Sequence, residues 1–299
     1  MNTKPFMLWL FCVLSVPALA VAQDGWQFNT AVNAMRGDYN GSLVMKKQHG
    51  LGVRLNAERP NEGGFSVGLQ STHIDMQPLV PKATQDQNNW LLTGYAYTPS
   101  PSLSGRFKWQ LDVHRVLNDA LQGNSDGVTA VVPQVSWVSF DRPLTFDLSY
   151  AQSRYPNTRT IHQISPSVGF GFNNNQNWFQ IRGYLIQNLE PSLSMGMSSS
   201  HATDFRLTQL FQSPSPWVPQ SVTVGLERGK KIYFVDAVTQ TVHNLPMRND
   251  GGESIAGVWK VGQKTHLKLH LQQAFYFSNS FTAHDFTLKT FSAQVGRDW

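Results

Sequence analysis

The sequence predicts an all-β protein, an antiparallel transmembrane β-barrel of about 14 strands (between roughly 12 and 16) behind a cleaved N-terminal signal peptide. Three observations predict it. Apolar and polar residues alternate with period two along most of the chain, the connections between the alternating segments differ in length in turn, and the first residues carry an export pattern.

Met1 to Lys4 form a short positive start, and Pro5 to Val21 form an almost uncharged apolar run, the pattern of a secretory signal peptide. Small residues at Ala20 and Ala22 place cleavage after Ala22, or alternatively after Ala20, so residues 1–22 are expected to be the signal peptide and 23–299 the barrel. The competing reading is an uncleaved anchor helix, against which stand the short apolar run and the small-residue site. The sole cysteine, Cys12, lies within that run, so the exported chain is expected to form no disulfide. Beyond the leader, no stretch approaches the roughly 18 consecutive apolar residues of a spanning helix. A membrane crossing would then have to be made by strands.

The chain carries a formal charge of +5, with charged residues at 14% and aromatics at 12%. Its Lys and Arg are spread rather than clustered, so no nucleic-acid partner is expected.

Fourteen segments alternate: about 26–35, 47–58, 63–73, 88–98, 105–117, 127–139, 143–153, 160–172, 177–187, 203–212, 220–229, 253–261, 265–278 and 285–299. On "RFKWQLDVHR", Phe107, Trp109, Leu111 and Val113 alternate with Arg106, Lys108, Gln110, Asp112 and His114. On "HLKLHLQQAFYF", Leu267, Leu269, Leu271, Gln273, Phe275 and Phe277 alternate with His266, Lys268, His270, Gln272, Ala274 and Tyr276. A strand so divided meets two different solvents, lipid on one face and a polar interior on the other. "PNEG", "SPSLSG", "DR", "NNNQ", "SPSPWVP" and "GQK" are compact turns, and longer links lie near 36–46, 74–87, 118–126, 154–159, 188–202, 230–252 and 279–284. Short periplasmic turns and longer outside loops are the barrel arrangement, so Gln240 and Ser194 are expected outside and Gln263 and Asn175 in the periplasm. The alternative is a soluble β-sandwich, which any single strand fits equally well. The set of long strands, alternating connections and export signal favours the barrel.

The last residues, "TFSAQVGRDW", resemble the terminal strand of bacterial outer-membrane barrels. Phe291, Val295 and Trp299 are the expected assembly signal, with Ala293 on the same spacing and Arg297 interrupting the apolar set. The segments "NWFQIRGYLIQN" (177–188), "SHATDFRLTQLF" (200–211) and "SVTVGLERG" (221–229) resemble the YaiO-type outer-membrane domain, over about a fifth of the chain. That resemblance implies outer-membrane location and no established chemistry.

No catalytic residues are expected. "SSSHATD" brings Ser198, Ser199, Ser200, His201 and Asp204 close in sequence, but triad members are normally assembled by the fold, and a hydrated outer loop is the favoured reading. His266 and His270 share a strand face without a third ligand, so no metal site and no cofactor are expected. Gly169 and Gly171 in "GFGF" lack the following helix of a phosphate loop and are expected to make room inside the barrel.

The inward set is more informative. Arg54, Arg106, Lys108, Arg182, Arg206, Lys260, Lys268 and Lys289 outnumber Glu58, Asp112, Asp147 and Glu227, a balance that favours anions. The residues expected to line the lumen are Arg106, Lys108, Asp112, His114, Arg182, Arg206, Glu227, Lys268 and His270. Alternatively these charges pair across a plugged interior. The functional expectation is a non-enzymatic outer-membrane channel or export conduit for a polar solute or polymer in a Gram-negative bacterium. A closed barrel serving as a surface scaffold or adhesion platform is the alternative, and an outer-membrane hydrolase trails. Expected partners are outer-membrane lipid, the barrel assembly machinery and a polysaccharide or small polar solute.

Overall fold

The computed structural model describes residues 25–100, 102–119, 125–156, 158–212, 215–236, 239–279 and 282–299. The proposed signal peptide lies outside them. Strands are β1 (Gln27–Asn40), β2 (Met45–Arg59), β3 (Gly63–Met76), β4 (Thr84–Pro99), β5 (Gly105–Asn118), β6 (Val128–Ser139), β7 (Leu144–Arg154), β8 (Thr160–Phe172), β9 (Asn177–Asn188), β10 (Ser199–Leu210) and β11 (Ser221–Lys231). Then come the two-residue strands β12 (Val235–Asp236) and β13 (Thr241–Val242), followed by β14 (Arg248–Lys260), β15 (Thr265–Ser278) and β16 (His284–Asp298). Fourteen of these, all but β12 and β13, close into one antiparallel barrel. The seam is β1 on β16, in register from Asn29↔Asp298 to Asn40↔Thr287, and the Trp299 N–H donates to the Phe28 carbonyl at 2.9 Å. Closure gives each spanning strand two partners, which is what lets backbone polar groups sit in lipid.

The outward face is apolar. Leu51, Val67, Trp90, Leu92, Leu148, Leu185, Val224 and Leu271 are all exposed, whereas a sandwich would bury them. Phe291, Leu271 and Ile255 are adjacent partners around this wall. Toward the end that holds the termini, aromatic rings gather on the same face: Trp137 stacks on Phe146 at 5.9 Å, and Phe170 packs on Phe179 at 5.5 Å. Such a girdle marks a membrane interface. The chain is an outer-membrane β-barrel of the Gram-negative type.

Several strands run further than the alternation suggested. β1 continues to Asn40, β4 begins at Thr84, β10 at Ser199 and β14 at Arg248, so the links shrink to residues 41–44, 77–83, 189–198 and 232–247. The cause is a change of side chain on the outward face, not a break in the ladder. Asp38↔Lys47 and His49↔His73↔Asp86 remain paired although they are polar. The 14-residue β15 is about 46 Å long at about 3.3 Å per residue, which at a tilt of about 40° rises about 35 Å. That exceeds the apolar band of about 25 Å, so the ends project into water. The β10–β11 connection, residues 211–220, is as long as 189–198, so length distinguishes the two ends less sharply than expected.

Gly169 faces inward beside Trp178, where a Cβ would stand 2.7 Å from the Trp178 ring and 2.8 Å from the Thr145 hydroxyl. Both strands flanking the 232–247 connection carry a register irregularity, between Arg228 and Lys231 and between Asn249 and Gly252. Gly229 (φ +115°) and Gly251 (φ +107°) supply the backbone these bulges require. Bulges at both roots bend the connection into the barrel.

Candidate functional site in the barrel lumen

The ladder registers place Arg106, Lys108, Asp112, His114, Arg182, Arg206, Glu227, Lys268 and His270 on the face opposite the lipid-facing residues, inside the barrel. Lys289 does not join them. It is opposite Gln273 and Asp38 on the face that carries Leu271 and Phe291, so the expectation that it points inward is corrected. A Lys at that height is above the apolar band and meets water on the outside.

Several interior charges are engaged. Arg206 Nε lies 2.7 Å from Asp204 Oδ2, Lys231 Nζ 2.6 Å from Glu227 Oε2, and Arg182 Nη2 3.9 Å from Asp147 Oδ2. Toward the terminal end the arrangement is looser. Lys108 Nζ sits 4.4 Å over the Tyr95 ring, whose hydroxyl donates to Glu58 at 2.7 Å, and Arg106 lies 4.4 Å over Tyr97 while donating to Asn61 at 2.5 Å. Lys268, Gln272 and Gln294 point inward and are exposed, so water reaches this part of the lumen.

The other half of the lumen is filled by residues 232–236 and 239–247 of the β11–β14 connection. Ile232, Tyr233, Phe234, Val235 and Val242 are buried against the inward faces of β5 to β10, in one cluster with Val116, Val128, Ala130, Ile161, Tyr184 and Ile186. Leu245 and Met247 pack against Tyr39, Met45, Ile74, Tyr276 and Phe286 across the barrel. Polar contacts pin the segment. The Gln163 amide brackets Val235, donating to its carbonyl at 2.7 Å and accepting from its N–H at 3.0 Å. Gln240 donates to Asp112 at 3.2 Å and Asn244 to the Ser125 carbonyl at 2.9 Å. His243 stacks on Phe234 at 4.0 Å, and Lys231 Nζ stands 3.8 Å from the centre of the same Phe234 ring. Burial, followed by the charge of Lys231, pushes the His243 imidazole down to about 4, against the pull of Asp236. Gln240 is therefore inside the lumen, which corrects the expectation that it is displayed on the outside.

This loop is what sequence reading missed. The signals were present: an apolar run, Ile232 to Val235, inside the longest link, and Val128, Ala130 and Val132 on a strand face that should have been polar. A strand apolar on both faces has a second apolar partner.

Of "SSSHATD", Ser198 ends the link and Ser199 to Asp204 are not a loop but the start of β10. Ser200 is buried facing inward, His201 faces outward beside Leu185, and Asp204 is held by Arg206. Ser200 and His201 stand on opposite sides of the wall and form no nucleophile–base pair. His266 and His270 both point inward, and His266 Nε2 lies 3.5 Å from Asp298, a carboxylate the sequence reading did not find for it.

No family model and no curated protein matches the chain. Solved structures do. The chain is similar in fold to the TodX deltaS2S3 mutant, a monoaromatic hydrocarbon channel, with TM-score 0.53, 8% identity, and coverage of 96% of this chain and 93% of that one. It is similar to the P. putida toluene transporter TodX, with TM-score 0.50, 7% identity, and coverage of 93% and 90%. The Acinetobacter baumannii outer membrane protein Omp33 matches with TM-score 0.46, 8% identity, and coverage of 92% and 100%.

Proposed function

We propose that this barrel is a non-enzymatic outer-membrane channel or export conduit for a polar solute or polymer, with the 232–247 loop as its constriction. The observation that carries the reading is the division of the lumen. An apolar, hydrogen-bonded loop fills the half away from the termini, and a hydrated half lined by Lys108, Lys268 and Gln294 lies beneath it. A permanent plug needs no exposed lysine within the wall, whereas a pore uses such charges to raise the local concentration of anions. The solved structures of similar fold, a monoaromatic hydrocarbon channel and a toluene transporter, agree with transport as a class and assign no solute. The likeness to the YaiO-type domain adds no chemistry to this.

The loop end is assigned to the outside. The alternative, a closed barrel used as a surface scaffold, draws on the same packed loop. Charge reversal tests the choice. Lys108→Glu with Lys268→Glu leaves a hydrated wall able to solvate either sign, so the variant should fold and its anion preference in a planar bilayer should fall or invert. Unchanged ion preference in a conducting variant would remove these lysines from the pathway. A silent wild type together with a variant that fails to assemble would replace the channel by the scaffold.

A further inference from the structure

We propose that His49, His73 and Asp75 form a binding site for a divalent transition-metal cation of the zinc class on the outer wall of the barrel, above the apolar band. It stands apart from the lumen and does not rest on the channel reading. Twenty-four residues separate His49 from His73, and the β2–β3 register sets them directly opposite one another. Sequence spacing does not show such a pair.

His49 Nε2 lies 3.5 Å from one Asp75 oxygen and His73 Nε2 lies 3.5 Å from the other, and the three ligand atoms all fall within 4.8 Å of one another. Ligands about 2.0–2.1 Å from a tetrahedral metal stand roughly 3.3 Å apart. The His–Asp separations, one to each Asp75 oxygen, are close to that, and small side-chain rotations bring both imidazoles and one carboxylate oxygen onto a common ion. The imidazoles are stacked nearly parallel, 5.7 Å between centres at 14°, and both turn Nε2 to Asp75.

Two further features point to a metal rather than to a chance ion pair. Asp86, opposite His73 on β4, accepts from His73 Nδ1 at 2.6 Å. That bond places the proton on Nδ1 and leaves the Nε2 lone pair directed at the site, the outer-shell arrangement common to metal-bound histidines. Lys47, which stands opposite Asp75, turns to Asp38 at 4.0 Å, leaving the Asp75 carboxylate to the histidines. Imidazole nitrogen with a single carboxylate selects zinc and its late first-row neighbours over calcium or magnesium, which prefer all-oxygen shells. Three protein ligands leave a fourth position open to water or to an oxygen ligand from outside.

The test uses the full barrel, refolded in detergent without a polyhistidine tag and stripped with EDTA, and titrates it with Zn²⁺ by calorimetry and with Co²⁺ by visible absorption. One ion per barrel is expected. His73→Ala or Asp75→Asn should abolish the binding, Asp86→Asn should weaken it about 10–100-fold, and His266→Ala with His270→Ala should leave it unchanged. Heat-modifiable mobility confirms that each variant is folded, and His49→Gln serves if His73→Ala does not assemble. Absence of stoichiometric binding to the wild type overturns the proposal, as does binding that survives loss of His73 or His49.

Discussion

Replacing Gln163 with leucine removes both hydrogen bonds that bracket Val235 while keeping a side chain of similar size in the same buried position. In the docked loop the Val235 N–H and carbonyl would then be buried without partners. Each such group costs about 1–3 kcal/mol, so docking weakens by at least about 2 kcal/mol, or about 30-fold. The barrel wall itself is little affected, because the β7–β8 and β8–β9 ladders that hold Gln163 use backbone groups. Single-channel recording reads the consequence directly as a rise of about 30-fold in the fraction of time spent in the higher-conductance state. Limited proteolysis should in parallel cleave within residues 239–247 at a matching increase in rate. If the variant folds and neither quantity moves, the loop is not held by Gln163 and the gating argument fails.

The buried imidazole of His243 makes docking pH-dependent. An undocked His243 takes a proton near 6.5 and the docked one only near about 4, so docking is at full strength above 6.5 and weakens by about 1.4 kcal/mol per pH step as pH falls toward 4. Open time should rise about tenfold per step in that window, and His243→Phe, which keeps the stacking on Phe234, should flatten the profile; an identical profile in the variant contradicts the assignment. Deleting Val295 to Trp299 removes the first pairs of the seam, Asn29↔Asp298 to Val32↔Val295, together with the proposed assembly signal. The truncated chain should be degraded in the periplasm, and normal levels of heat-modifiable barrel would show that the segment has no such role.

The strands were legible because lipid imposes one rule on every outward position. Leu267, Leu269 and Leu271 announce their strand on their own, and the same alternation located all fourteen barrel strands. The rule lapses above the apolar band, where Asp38, His49 and Asp86 continue the ladder with polar side chains, and the strand ends were lost there. The inward face of the nine proposed lumen residues follows from parity alone, which holds along each strand up to the bulges near its end. Lys289 is the exception: it shares the parity of Phe291 two residues later, which fixes its face outward. The loop, its receiving surface and the His49–His73–Asp75 cluster depend on contacts between distant segments. Gln163 and Val235 are 72 residues apart, and no local periodicity encodes such a meeting.

The central claim is that residues 232–247 constrict an otherwise hydrated barrel, and the most direct measurement is single-channel conductance of the wild type beside a variant in which Tyr233 to His243 are replaced by a short Gly-Ser turn. The ladder contacts of β11 and β14 survive that replacement, so the barrel should assemble, and its unit conductance should exceed that of the wild type several-fold with the anion preference retained. A folded, loop-shortened barrel that conducts no better than the wild type would contradict the account.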